Sequence, residues 1–353
     1  MQSTKKINWI LVIFPILIFS LGEITLVSTH PDLSSNQLIF FIIGFVTFWA
    51  ISLIDYRILG TFWKIIFGSV LGLLLLVVVV GKEILGASRW LEFGGFNLQP
   101  SEFAKIAVII IVSYLVSQDS ESLKSFKKIL FIVCTILPLF LLVFLQPDLG
   151  TSLIILFISL GMFWYAGLSK IYYLVAILLF GAFSEPVWSL LKDYQKQRIL
   201  VFLNPRLDTL GAGYNVIQSM IAVGSGQLSG RGFGHGTQSH LQFLPIYWTD
   251  FLFAAFSEEW GFIGVLGLVG LYIGLLLTIL YVAHKINDSF GSLMCIGVFI
   301  VFFTQFFINV GMNLGLMPVT GIPLPLVSYG GSSLLTSLIL LGIVHSVWIN
   351  NSN

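Results

Sequence analysis

Charge is what this sequence is short of. Only 9% of its 353 residues are Asp, Glu, Lys or Arg, against 57% hydrophobic, and the mean hydropathy is +0.98. A soluble domain carries about 25% charged residues, so this chain has too little polar surface to face water all round. Bilayer is its natural solvent. An excess of either sign is missing too: with a net charge of +1 and no basic stripe, a nucleic-acid partner is excluded. Cysteine is scarce, and Cys134 and Cys295 both lie in apolar runs, where a small hydrophobic role outweighs a disulfide. No cleavable leader is expected, because Lys5 and Lys6 precede an apolar run longer than a signal peptide's, with no small-residue cleavage site after it. That run reads as an uncleaved first membrane helix. Internal repeats, low-complexity tracts and a second soluble domain are lacking, which leaves one membrane domain over residues 1–353.

What is present is a series of long apolar runs. A span needs about 20 mostly apolar residues. Such runs fall near 8–29, 36–54, 62–81, 101–117, 129–146, 149–167, 171–190, 250–282, 291–315 and 328–349. The expected fold class is an all-α integral membrane protein of about ten transmembrane helices. Pro147 and Gly150, in LQPDLGTS, break what would otherwise be one over-long helix. Short loops carry Lys5, Lys6, Arg57, Lys64, Lys124, Lys127, Lys128, Lys170 and Lys285, and the alternation puts all of them on one side. Basic short loops stay in the cytoplasm, which places both termini there. Two longer segments, about 82–100 and about 191–249, fall on the other side, the second as a long extracytoplasmic loop between helices 7 and 8. Within it, Tyr214–Gly226 is too apolar for disorder and predicts a short amphipathic or re-entrant helix.

Ionisable side chains at membrane depth are costly and face a bundle interior or a wet cavity. Glu102 and Lys105 are spaced i,i+3, so they share a helix face and favour a structural ion pair. The alternative is an electropositive wall in which Arg89 and Lys105 reach an anionic ligand. Arg89 beside Trp90 suits an interfacial anchor equally well. Asp148 stands where it can complement a helix start. The long outer segment has a basic edge of Lys192, Lys196, Arg198 and Arg206, and its run GSGQLSGRGFGHG permits tight turns and close backbone approach without phosphate-loop spacing. His235 and His240 have no obvious third ligand and read as ordinary loop residues.

The stretch TDFLFAAFSEEWGFIG places three carboxylates on one apolar segment. Asp250 lies at the junction of outer loop and helix, where it can cap the helix or meet a substrate. Glu258 and Glu259 lie about 12 Å deeper along a helix. Around that helix Glu258 is about 80° from Asp250 and Glu259 nearly opposite, so the three cannot form one cluster. The glutamates read as buried structural partners for Lys or Arg on other helices.

Taken in order, QPSEFAK (99–105), QPDLGTS (146–152), LGAGYNVIQSMIAVGSG (210–226), GTQS (236–239), TDFLFAAFSEEWGFIG (249–264) and MPVTGIPLPLVSYGGSSLL (317–335) resemble the SEDS family. That family comprises RodA, FtsW and SpoVE, the polytopic proteins of bacterial shape, division and sporulation. The run NVGMNLGLMPVTGIPLPLVSYGGSS, with GAGYNVIQSMIAVGSG, looks more like the RodA subgroup. The resemblance implies a peptidoglycan glycosyltransferase of ten helices that polymerises lipid II at the outer face of the bacterial cytoplasmic membrane, for elongation and rod shape. The family's essential carboxylate matches Asp250, its tryptophan after the third span matches Trp90, and its charged pair matches Glu102 and Lys105. The sequence departs from the family pattern at Ile246, where a glutamate is usual, at Trp248, often histidine, and at Thr209, usually proline. The change at 246 removes a carboxylate that a metal site would use and leaves Asp250 untouched.

The implied chemistry turns an α-linked sugar pyrophosphate into a β-glycan bond. One inversion needs one base and a good leaving group, not the close carboxylate pair of a retaining enzyme. Asp250 is the expected base for the acceptor hydroxyl. Arg89, Lys105 and Arg198 are expected to stabilise the departing pyrophosphate, with Trp90, Glu102, Gln218 and Ser219 completing the substrate-binding set. A divalent cation, Mg²⁺ or Mn²⁺, can share that task through Asp250 and substrate phosphates, and no organic cofactor is expected. The resemblance further implies a class B penicillin-binding protein as transpeptidase partner within the elongation machinery. Two rival classes are a lipid II flippase, since buried charges and broken helices also mark transport paths, and a noncatalytic scaffold.

Overall fold

The computed structural model describes residues 6–351 apart from 85–86, 94–95, 120–121, 209–210, 242 and 245–247. The chain begins with α1 (Ile10–Thr29), α2 (Pro31–Leu53), a short α3 (Arg57–Thr61) and α4 (Trp63–Val80). Three strands follow, β1 (Lys82–Ile84), β2 (Ala87–Phe93) and β3 (Phe96–Leu98), then α5 (Pro100–Ser117), α6 (Phe126–Leu145), α7 (Leu149–Tyr165), α8 (Lys170–Ala182) and α9 (Ser184–Leu190). The long outer segment folds as α10 (Asp193–Leu203), α11 (Ala212–Ser225) and α12 (Thr237–His240). Three long helices close the chain: α13 (Leu252–Lys285), α14 (Ser289–Asn313) and α15 (Gly331–Asn351).

Eight of these helices are long and apolar enough to cross a membrane, which makes this a multi-pass membrane protein. Ten crossings require two more: the 17-residue α7, and α8 with α9, a pair bent by 57°. Pro186 explains the bend, since it lacks an N–H and its ring clashes with the carbonyl four residues back, at Ala182. Helices α5, α14 and α15 are buried through most of their length and form the centre of the bundle. Apolar side chains also cover the outside: Ile39, Ile42 and Val46 of α2 and Val78 and Val79 of α4 are exposed, as lipid-facing positions should be.

The bundle has two unlike ends. At one end the termini meet: Trp348 Nε1 donates to Lys6 O (2.8 Å), Asn8 N to His345 Nε2 (3.3 Å), and Arg57 to Asn351 Oδ1 (3.3 Å). At the opposite end lie the strands, α10–α12 and Asp250. The strands depart from the all-α expectation. They form an antiparallel sheet of order β1-β2-β3 in which Leu91 faces Leu98. Leu91 is buried and Glu92 exposed, the period-two alternation of a half-covered strand, here set in a segment too mixed in polarity to be read as anything but loop.

Helix α13 is broken inside its length. Gly261 has φ 63° and ψ −166°, a conformation that glycine adopts without a Cβ clash. The break frees backbone groups that a membrane cannot satisfy, and residues 226–232 satisfy them. Phe262 N and Ile263 N donate to Gln227 O (2.9 Å) and Leu228 O (3.1 Å), while the carbonyls of Glu258 and Glu259 accept from Arg231 N (2.9 Å) and Gly232 N (3.0 Å). A Cβ on Gly230 would fall 2.1 Å from Glu259 O. The glycine-rich run is therefore built for close approach to a broken helix.

Candidate active site

The carboxylates of α13 have different surroundings from those the sequence suggests. Glu258 accepts from Thr237 Oγ1 (3.1 Å), Gln238 N (3.1 Å) and Ser239 N (3.4 Å), with Arg231 Nε at 4.0 Å. Glu259 accepts from Ser28 Oγ and from Gly234 N (3.3 Å). Both are buried and structural, as expected, but their principal partners are hydroxyls and amides of the outer segment and α1 rather than Lys or Arg on other helices. The reason is that α12 begins beside Glu258 and presents its unpaired amides there.

Asp250 occupies the turn before α13 and is half-buried. It does not cap that helix: the N-cap is Phe251, and no side chain bonds there. Its carboxyl is instead flanked by cations. Burial raises its pKa above the usual carboxylate range, opposed by the positive charge of Arg198, a hydrogen bond from Thr249 and the charge of Arg89. Burial correspondingly lowers the pKa of Arg198, Asp250 opposing and Arg89 reinforcing that shift. Gly321, at φ +74°, lies against both groups: a Cβ there would sit 3.5 Å from Arg198 Nη1 and 3.7 Å from Asp250 Oδ2. Any larger residue would be strained and would crowd the carboxylate.

Arg198 is on α10, one turn after Tyr194, so the two share a face. Its guanidinium stacks over the Tyr194 ring at 5.6 Å. Arg89 reaches the same place from β2. It donates to Gln146 O (3.2 Å), Pro147 O and Tyr194 Oη (3.0 Å), and its Nη1 is 3.6 Å from Asp148 Oδ1. Tyr194 thus holds one guanidinium on its ring and the other on its hydroxyl, which keeps two like charges side by side. They line a pocket of about 130 Å³ whose other walls include Leu149, Leu153, Ile199 and Val319. Beyond Arg198 a smaller pocket of about 30 Å³ continues between Phe202, Val216 and Met317. A cleft with cations on one wall and hydrocarbon on the others suits an anionic head carrying an apolar tail.

The remaining candidates are spread around this cleft. Trp90 follows Arg89 on β2 and so points to the other face of the sheet; it is half-buried. Asp148 caps α7 by accepting from Thr151 N (3.2 Å), and Ser101 and Gln99 also donate to it, each at 3.0 Å. Glu102 and Lys105 are buried and paired with each other at 2.8 and 2.9 Å, deeper in α5 than Ser101 and off the pocket walls. Ser219 is fully buried and bonded to Asn313, while Gln218 is half-buried on α11. Ile246, Thr209, Lys5 and the side chain of Arg206 lie outside the described residues. Among the described residues, no three His, Cys, Asp or Glu side chains come together as a metal cage. A Mg²⁺ that uses one carboxylate plus substrate phosphates needs only what Asp250 offers. Sequence reasoning missed Tyr194, Gly321, Asn309 and Asn313. The i,i+4 spacings of Tyr194 with Arg198 and of Asn309 with Asn313 were the available signal.

Comparison with known proteins follows the same lines. The sequence profile of the cell cycle protein family of FtsW, RodA and SpoVE matches residues 4–353. The peptidoglycan glycosyltransferase MrdB of Escherichia coli is 45% identical over 278 residues, 78% of this chain and 74% of that protein. The protein of the same description from Helicobacter pylori is 38% identical over 343 residues, 95% of this chain and 87% of its own length. Among solved structures, one described as "Structural coordination of polymerization and crosslinking by a peptidoglycan synthase complex" superposes with a TM-score of 0.83 at 32% identity, covering 98% of both chains.

Proposed function

The chain belongs to the FtsW/RodA/SpoVE family and is a peptidoglycan glycosyltransferase, and we propose that it polymerises lipid II with Asp250 as its base. The observation that carries this reading is the position of Asp250: a carboxylate free of capping, with a raised pKa, beside two guanidiniums on an amphipathic cleft. In the step, the acceptor 4-hydroxyl oxygen attacks the donor anomeric carbon while its proton passes to the Asp250 carboxylate. The bond from that carbon to pyrophosphate breaks, the leaving group keeps the electron pair, and the single displacement inverts α to β. A base works best when its pKa lies near the working pH, and burial moves Asp250 that way. Arg89 and Arg198 receive the charge that develops on the pyrophosphate. A divalent cation bound by Asp250 and the phosphates would neutralise part of the same charge. Glu102 and Lys105 support the wall behind Asp148, and Gln218 borders the substrate from α11, while Trp90, on the sheet face away from Arg89, anchors the sheet at the membrane boundary.

The end bearing the short basic loops faces the cytoplasm in this reading, with both termini, and the cleft opens outward from the bacterial inner membrane. Cysteines placed at Ser229 and Lys124 test it: an impermeant thiol reagent on intact cells should label Ser229→Cys only, and the reverse pattern overturns the orientation. The partner we assign is a class B penicillin-binding protein of the elongation machinery, because strands made here need crosslinking. The similar solved structure concerns polymerization and crosslinking by one complex, which supports that assignment. Purified protein with labelled lipid II in liposomes decides the function. Glycan polymer is the expected product, whereas leaflet exchange without polymer would make the protein a flippase, and neither product would make it a scaffold.

A further inference from the structure

Two buried amides hold Asp250 by its backbone. Asn309 and Asn313 lie one turn apart on α14, both 0% exposed. Asn309 Nδ2 donates to Asp250 O (3.1 Å) and to Ile322 O (2.8 Å), which uses both of its hydrogens. Asn313 Nδ2 donates to the same Asp250 O (3.0 Å) and to Asn309 O (2.8 Å). Ser219 of α11 in turn donates to Asn313 O (2.9 Å) and Oδ1 (3.2 Å). One carbonyl thus receives two amides, and one amide ties together two backbone segments far apart in sequence. Ile322 follows Gly321, the residue that lies against the Asp250 carboxylate and Arg198. The base and the backbone beside it are therefore indexed to the same fully buried side chain of α14.

We propose that Asn309 and Asn313 are positioning residues of the transferase reaction: they hold the Asp250 turn at a fixed distance from the Gly321–Ile322 backbone, so that the carboxylate meets the acceptor hydroxyl in line. The inference rests on Asp250 as the base. Misplacing a reacting group by about 1 Å can cost about 10²-fold in rate, so the clamp acts on turnover and not on affinity. Gln305 provides the contrast. It lies one turn deeper on α14, is 2% exposed, and its Nε2 has no partner among the described residues.

The test is polymerisation of labelled lipid II by the full-length purified protein and its Asn309→Ser, Asn313→Ser, Ser219→Ala, Gln305→Met and Asp250→Asn variants. Both serine variants should lose about 10- to 100-fold in kcat per folded molecule, with KM within about threefold of the parent. Ser219→Ala opens almost no cavity and should lose about 3- to 10-fold by loosening Asn313, which keeps the test alive if a serine variant fails to fold. Gln305→Met should turn over like the parent. Parental kcat in every folded clamp variant, a change in KM alone, or an equal loss in Gln305→Met would overturn the clamp while Asp250→Asn stays inactive. Normal turnover by Asp250→Asn would instead remove the base itself, and the clamp with it.

Discussion

Asp250 and Glu258 stand eight positions apart on one segment, yet their surroundings could hardly differ more. Glu258 is surrounded by donors: two backbone amides and a threonine hydroxyl fix its oxygens, and its work is to hold the outer segment against a broken helix. Asp250 has its backbone carbonyl fixed by two amides, while its carboxyl is left beside the charge of Arg198, a residue that lines the cleft. The fold thus immobilises the residue without consuming its chemistry. The lesson is that a carboxylate's role follows from what already occupies its lone pairs, and that burial alone does not separate structure from catalysis.

The comparison can be broken most severely at Asp250. Asp250→Asn keeps the shape and the backbone clamp but removes the base, so polymer formation should fall by about 10²–10⁴-fold. Melting temperature and lipid II binding should stay near the parental values, as read on monodisperse protein. Next in size is Glu102→Gln. Breaking a buried ion pair costs about 3–5 kcal/mol, so thermal stability should drop sharply and activity should follow the folded fraction. A stable but inactive Glu102→Gln protein would move that residue into the chemistry. Glu258→Gln is milder. It weakens a set of hydrogen bonds to one carboxylate, a loss of about 1–3 kcal/mol, with turnover per folded molecule unchanged. The smallest effect sharpens the contrast from the other side. Arg198 lowers the Asp250 pKa, so Arg198→Gln should shift the acid limb of kcat/KM to higher pH, and an unmoved limb would mean that the two groups are not coupled.

Much of this was legible in the sequence, for physical reasons that also mark its limits. Long apolar runs reveal spans because hydrocarbon admits little else, and Pro147 marked the α6–α7 turn, whereas Gly150, expected to share in the break, lies inside α7. Asp250 stood out because a carboxylate at the mouth of a span is costly unless used. The partners of Glu258 did not, because they come from a loop some twenty residues earlier whose approach depends on the Gly261 break. The sheet was missed because its strands are only three to seven residues long. Asn309 and Asn313 escaped attention because neutral amides carry no charge to flag their burial, and Tyr194 because its value lies in two arginines that reach it from opposite sides.

The central claim, that Asp250 takes the acceptor's proton, is tested most directly by the pH dependence of lipid II polymerisation in the parent and in Asp250→Asn. Because burial raises the Asp250 pKa, kcat/KM of the parent should decline with falling pH at a value above the ordinary carboxylate range of about 3.9. The residual activity of Asp250→Asn should show no such decline through that window. The same acid limb persisting in Asp250→Asn would contradict the account and assign the titrating base to another group.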